Sequence, residues 1–159
     1  MYKTLVRPIL EYGTCIWNPM LRSDIIELEK VQRRATKMIY NISELSYEDR
    51  LKYLKIDSLA FRRRRCDMLQ VYKIFHRLDN IDVSDYFEVY SENITRGHRY
   101  KIKKPRCNSR LRQNTFALRI INDWNRLKDD TVNSQSINIF KSRLATEWEN
   151  HHERYLENE

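Results

Sequence analysis

Glycine and proline are scarce in this sequence: 2 glycines and 3 prolines in 159 residues. Two glycines cannot build a phosphate loop of the GxGxxG or GxxxxGKS kind. Nor can they supply the many tight turns of a β-sandwich or small barrel. Cysteine is also sparse, and Cys15, Cys66 and Cys107 are an odd number with wide spacing. They read as reduced thiols of an intracellular protein, cytoplasmic or nuclear, rather than as a disulfide frame. No apolar run approaches the roughly 18 residues a membrane-spanning helix needs. The first residues, Met1 to Pro8, lack the apolar core of a signal peptide.

What is present is charge. Charged residues make up 33% of the chain and the net charge is +8. Few helix breakers and many charges predict an all-α fold. The charge is uneven: residues 1–21 carry +1, 22–78 carry +6, 79–112 carry +3 and 113–159 carry −2. From Arg96 to Arg112 there are eight basic residues and no acid.

Periodicity predicts about six helices. Leu5, Ile9, Tyr12 and Ile16 share one face of a first helix over about 2–17, which Pro8 kinks and Gly13 weakens. Residues 24–40 form a second, with Asp24 and Glu27 as a capping box and Ile25, Leu28, Val31, Ala35 and Met38 as its apolar stripe. Lys30, Arg33, Arg34 and Lys37 lie together on another side. Ser46 caps a short helix over 46–54, and Ser58 starts a long one to about Leu78. Arg62, Arg63, Arg64 and Arg65 fall in that long helix and sweep most of its circumference at about 100° per residue. At least one of them must therefore lie near packed elements, with its stem buried. Residues 94–112 lack helical periodicity and read as a basic extended loop, with room for a short β-ribbon. Helices over about 113–127 and 136–152 close the chain, the latter capped by Ser134 or Ser136. The expected organisation is a helical unit over 1–78, a basic loop over 79–112 and a helix pair over 113–159 packing on the first unit.

The chemistry these residues offer is narrow. His151 and His152 are adjacent and point to different sides of a helix. His98 and Cys107 have no CxxC or HxxxH around them. No metal or other cofactor is expected. Asp129-Asp130 resemble the paired aspartates of polymerases. They follow Leu127-Lys128 without a hairpin, and read as the C-terminal turn of a helix. Cys66 falls on an apolar helix face and reads as core. Trp17, Trp124 and Trp148 read as packing residues.

Basic patches remain. Lysine and arginine neutralise phosphates and release counterions, which gives affinity for RNA or DNA without sequence preference. The candidate contacts are Lys30, Arg33, Arg34 and Lys37 on the helix. In the loop they are Arg96, Arg99, Lys101, Lys103, Lys104 and Arg106, with Tyr100 placed to stack on a base. A rival expectation is a protein-interaction module that docks a partner on the apolar faces of 58–78 and 136–152. A functionless truncated element is a further alternative, and an enzyme in its own right is the weakest rival.

Six blocks, in order, carry a resemblance. Tyr2-Lys3-Thr4-Leu5-Val6-Arg7-Pro8-Ile9-Leu10-Glu11-Tyr12-Gly13 followed by Trp17-Asn18-Pro19 resembles the region after the polymerase core in jockey-like non-LTR retrotransposon reverse transcriptases. Glu29 to Lys37 resembles that family's next helix, and Ser46 to Leu51 its short third helix. Thr95-Arg96-Gly97-His98 resembles the start of its basic loop. Arg119 to Asn125 and Phe140 to Leu144 resemble its closing helices. The resemblance covers nearly the whole chain and implies the thumb and C-terminal region. The fingers, the palm with its aromatic-x-Asp-Asp motif, and the endonuclease have no counterpart here. It therefore implies a non-catalytic piece of an RNA-directed DNA polymerase whose helix 24–40 lies along the template–primer duplex. A palm and fingers core is the protein partner it implies.

Overall fold

The structure, a computed structural model, describes residues 1–90 and 97–148. Among these the chain is all-α, with no β-strand. Extended chain pairs as an isolated antiparallel bridge between Val89 and Ile102. Among the described residues, the ribbon for which 94–112 had room is one bridge. Tyr90 N donates to Lys101 O at 3.2 Å and Lys103 N to Glu88 O at 2.7 Å. No helix among the described residues is long and apolar enough to cross a membrane.

The chain forms two compact units, Met1–Arg64 and Arg65–Asn150. The division lies inside a helix, Leu59–Phe75, where the sequence suggested a boundary at 78–79.

In the first unit a π-helical turn, Tyr2–Val6, leads into α1 (Arg7–Glu11). Pro8 sits in the first turn of α1, where its missing N–H breaks no helical bond. The helix expected over 2–17 is interrupted after Glu11. Tyr12 is extended and Gly13 takes φ +64°, a left-handed conformation that suits glycine, before α2 (Thr14–Trp17). The next helix, α3, spans Arg22–Lys37. Asp24 does not cap it. The N-cap is Leu21, without a side-chain bond, and Asp24 is an acid in the first turn, where the helix dipole favours it. Ser46 does cap α4 (Tyr47–Leu54), its Oγ accepting from Asp49 N at 3.1 Å. Ser58 Oγ accepts from Phe61 N at 3.2 Å at the start of α5, the Leu59–Phe75 helix.

The buried side of α3 is not the apolar stripe. Met38 is 86% exposed and Val31 37%, while Glu29, Gln32 and Thr36 are buried. These three lie at i, i+3 and i+7, on a face rotated by roughly 100° from the expected one. They are buried because each is hydrogen-bonded, which removes the penalty for taking a polar group out of water. The Glu29 carboxylate accepts from Leu59 N with both oxygens, at 3.1 and 3.0 Å, and from the Tyr47 hydroxyl. Gln32 accepts from the Tyr2 hydroxyl at 2.7 Å and donates to Tyr47 Oη at 2.9 Å and Asp57 O at 3.0 Å. Thr36 Oγ1 accepts from Arg50 Nε at 3.2 Å. This network ties α3 to α4, to the π turn and to the N-terminus of α5. Burial, then the charge of Glu29, pushes the Tyr2 hydroxyl up to about 12. The same two causes raise Tyr47 further.

The arginine run divides as its geometry requires. Arg63 is 2% exposed. Arg62 is paired with Glu11, and one of its two bonds runs from Nη2 to Oε2 at 2.9 Å.

The second unit holds the rest of α5, a 3-10 turn at Val83–Asp85, and then α6 (Arg110–Gln113), α7 (Phe116–Arg119), α8 (Ile121–Arg126), α9 (Asp129–Val132) and α10 (Ile137–Trp148). The helix expected over 113–127 is therefore two short ones that meet at Ile120. Ser136 rather than Ser134 bonds the first turn of α10, its Oγ accepting from Ile139 N at 3.3 Å. Asp129 and Asp130 open α9 instead of closing a helix. The reason is that Leu127 and Lys128 are extended, so a new helix starts after them with acids at its positive end.

The core of this unit is aromatic. Tyr72 of α5 stacks on Phe140 of α10 at 4.4 Å between centroids, and Phe75 stacks on Trp124 of α8 at 5.3 Å. Met68, Val71, Ile120, Val132 and Leu144 fill the space between them, all at most 1% exposed. The apolar faces of α5 and α10 are thus largely covered within the unit, by each other and by Trp124 of α8, where the sequence offered 58–78 and 136–152 as docking faces; Leu78 and Ile139 stay exposed. Cys66, expected in the core, is only half-buried, as are Cys15 and Cys107.

Candidate nucleic-acid interface

The basic segment of the second unit is held by its first residues. His98 is 2% exposed, and its Nε2 lies 3.0 Å from Trp124 O, so that nitrogen carries the proton. Its Nδ1 is buried without a partner. Burial drives the His98 pKa down, against the opposing pull of the Trp124 carbonyl. Trp124 Nε1 donates to Tyr100 O at 2.8 Å. The Asn125 side chain then acts as a strand edge: its Oδ1 accepts from Ile102 N at 2.9 Å and its Nδ2 donates to Ile102 O at 2.8 Å. Ile102 itself is 1% exposed. Residues 98–102 are therefore pinned to α8, through Trp124 and Asn125, and the charged residues after Ile102 leave from a fixed point.

This pinning corrects one expectation. Tyr100 does not present a free ring for a base. It packs 5.4 Å from Phe75 and 5.7 Å from His76, and the Arg99 guanidinium covers it at 4.7 Å. Tyrosine buries its ring where a large apolar surface is close, and the ring of Phe75 is that surface.

The predicted phosphate-binding residues fall into two groups. Some are already engaged within the chain. Lys30 pairs with Glu27 on the surface of α3. Arg33 lies over the Tyr47 ring at 4.4 Å. Lys103 pairs with Glu88 at 2.7 Å, and Arg99 covers Tyr100. The Lys101 side chain lies over Gly97, where an added Cβ would come within 2.6 Å of it. Others project into solvent. Arg34 and Lys37 are exposed on α3, and Lys104 and Arg106 are exposed beyond Ile102. Lys104 Nζ donates to the neutral Asn122 Oδ1 at 3.1 Å. Arg96 lies outside the described residues, as do His151 and His152. Arg110 and Arg112, the last two cations of the acid-free run and outside the candidate contacts, are also exposed, on α6. Their signal was the charge run itself. Asn125 gave no signal, because a lone asparagine on a helix looks like any solvated residue.

Arg119 is the basic residue with a structural task. Its guanidinium bonds both Asp67 oxygens at 2.8 Å and Asn114 O at 3.0 Å, joining α7 to α5. Trp17, expected to pack, is 41% exposed, whereas Trp124 and Trp148 are buried. Among the described residues no three His, Cys, Asp or Glu side chains cluster in a way that could hold a metal ion.

Similarity to known proteins is slight. No family model matches the chain. An uncharacterized protein of Caenorhabditis elegans is 30% identical over 81 residues. The match covers 49% of this chain and 39% of that protein. No solved structure matches.

Proposed function

We propose that this chain is a non-catalytic piece of a non-LTR retrotransposon reverse transcriptase that holds RNA or DNA by its phosphate backbone. The observation that carries this reading is a set of exposed cations without carboxylate partners. Arg34 and Lys37 in the first unit, and Lys104, Arg106, Arg110 and Arg112 in the second, form no ion pair among the described residues. Such cations gain from meeting phosphates because no carboxylate must first release them. The ordered resemblance to the thumb and C-terminal region supports the same reading. Such a role belongs where nucleic acid is, in the cytoplasm or nucleus. The test is a salt titration on an RNA–DNA hybrid duplex. Log affinity should fall steeply with log salt. Replacing Lys104, Arg106 and Arg110 by Ala should flatten the slope by up to about 0.9 for each phosphate no longer neutralised. Binding indifferent to salt and to these changes rules the reading out.

A second reading rests on a different observation. Leu5, Ile9, Tyr12 and Ile16 are 60%, 74%, 83% and 90% exposed. Met20 and Leu21 are exposed beside them in sequence. A run of apolar side chains left in water marks an interaction surface. On this reading the first unit docks a polymerase core or another protein partner through residues 5–21. Leu5→Asp with Ile9→Asp should abolish co-purification with a co-expressed palm and fingers core, and unaltered co-purification counts against it.

A further inference from the structure

Beside the basic segment of the second unit lies a pocket of about 320 Å³. Pro105 and Leu118 give it apolar walls, and Lys104, Gln113, Arg119 and Asn122 give it polar atoms. The hydrogen bonds decide what those atoms can still do. Arg119 is neutralised by Asp67 and cannot act as a second cation. Lys104 has no carboxylate partner and donates to Asn122 Oδ1 at 3.1 Å. The Asn122 amide therefore keeps its N–H donors. Gln113 Nε2 donates to Cys107 O at 2.7 Å, which leaves Gln113 Oε1 as an acceptor. The pocket thus offers one cation, one amide donor, one amide acceptor and apolar walls.

That set matches a single nucleotide. A base has a planar face for the walls and a donor–acceptor edge for the two amides, and its phosphate suits Lys104. A carboxylate of an acidic peptide would satisfy Lys104 but leave both amides and both walls without a purpose. The volume is at the small end of ligand sites, which start at about 300 Å³, so it admits one base and not a base pair. We propose that this pocket takes one unpaired nucleobase of a single strand whose phosphate rests on Lys104. The proposal builds on the reading above that the basic segment binds nucleic acid.

The test uses the full chain and two fluorescent strands of about ten nucleotides, one an oligouridylate and the other the same backbone without bases. The wild-type protein should bind the base-bearing strand about tenfold more tightly. Gln113→Leu should erase that preference by filling the pocket, and should leave the salt dependence of the base-free strand unchanged, because Gln113 bonds Cys107 O and not Lys104. Asn122→Leu should erase the preference too, and is read on that preference alone because it also removes the acceptor of Lys104. Both side chains are exposed, so neither change touches the core. Equal affinity for the two strands, with steep salt dependence, overturns the pocket and leaves the backbone reading intact. A tenfold preference that survives in both variants also overturns it, since the base then binds elsewhere. An acidic peptide of matched charge that competes as well as oligouridylate overturns it too. No salt-dependent binding of either strand overturns both readings together.

Discussion

Removing the Asn125 side chain should free the basic segment without removing a single charge. Asn125→Ala deletes both bonds to Ile102, the one from its N–H at 2.9 Å and the one to its carbonyl at 2.8 Å. Ile102 is 1% exposed, so water does not readily replace either partner. Leaving a buried amide or carbonyl unpaired costs about 1–3 kcal/mol, and two such groups put the expected loss at about 2–6 kcal/mol of the second unit's stability. Asn125→Asp separates the two bonds. The carboxylate can still accept from Ile102 N, but it faces the Ile102 carbonyl with no proton to offer. Asp should therefore be destabilising too, chiefly through the carbonyl. Urea denaturation followed by tryptophan fluorescence gives the stability. Amide hydrogen exchange at Ile102 and Lys103 gives the pinning. If the segment binds nucleic acid as proposed, Asn125→Ala should weaken the grip at an unchanged charge, because a loosened segment must be ordered again on binding. A stability change below about 0.5 kcal/mol in Asn125→Ala, together with unchanged protection of Ile102, refutes the claim that Asn125 anchors the segment.

Three further outcomes follow from the same geometry. Glu29→Ala should cost the first unit about 3 kcal/mol, since it strips partners from Leu59 N and the Tyr47 hydroxyl, while Tyr47→Phe should cost about 1 kcal/mol by urea denaturation. His98 has a depressed pKa in the folded state, so the unfolded chain binds the proton more readily. Its contribution should be complete above the ordinary value of 6.5 and fall as pH drops below it, and His98→Gln should flatten that fall in a pH series of melting temperatures. Lys103→Ala should change the salt slope of duplex binding less than Lys104→Ala does, because Lys103 is already paired with Glu88 at 2.7 Å while Lys104 is not paired with an acid.

The sequence made some of this legible and hid the rest for physical reasons. Ser46 and Ser58 were readable as caps because capping is local: the hydroxyl and the N–H it serves are three residues apart. The all-α class followed from few glycines and helical periodicity. The buried face of α3 was not readable. Apolar spacing marks Ile25, Leu28, Val31, Ala35 and Met38, yet Glu29, Gln32 and Thr36 are the buried residues. Their partners are Tyr2, Tyr47, Arg50 and the Leu59 amide, between 14 and 30 residues away. A polar residue is buried or solvated according to whether such a partner arrives, and periodicity carries no information about that. Tyr100 shows the converse. A tyrosine among lysines and arginines looks like a stacking platform, but a distant residue decides its direction. Trp124 Nε1 holds the Tyr100 carbonyl, and the ring packs toward Phe75.

Periodicity reports which residues share a face, not whether the face finds a partner, and the two units fall on opposite sides of that distinction. In the second unit the apolar faces of α5 and α10 meet, and Val71, Phe140 and Leu144 are each 0% exposed. In the first unit Leu5, Ile9, Tyr12 and Ile16 keep their helical spacing in sequence and stay in water. Four large apolar side chains at that exposure work against solubility unless something covers them. The polar network around Glu29 and Gln32 already holds the first unit's helices together, so this stripe is not needed to do so. On the two readings proposed above, the basic residues and the apolar stripe take different partners, phosphate for one and protein for the other. The two can be separated cleanly. Asp at Leu5 and Ile9 should leave the salt slope of duplex binding unchanged while removing protein capture, and Ala at Lys104 and Arg106 should do the reverse. A single variant set that lowers both would mean that the two surfaces serve one partner.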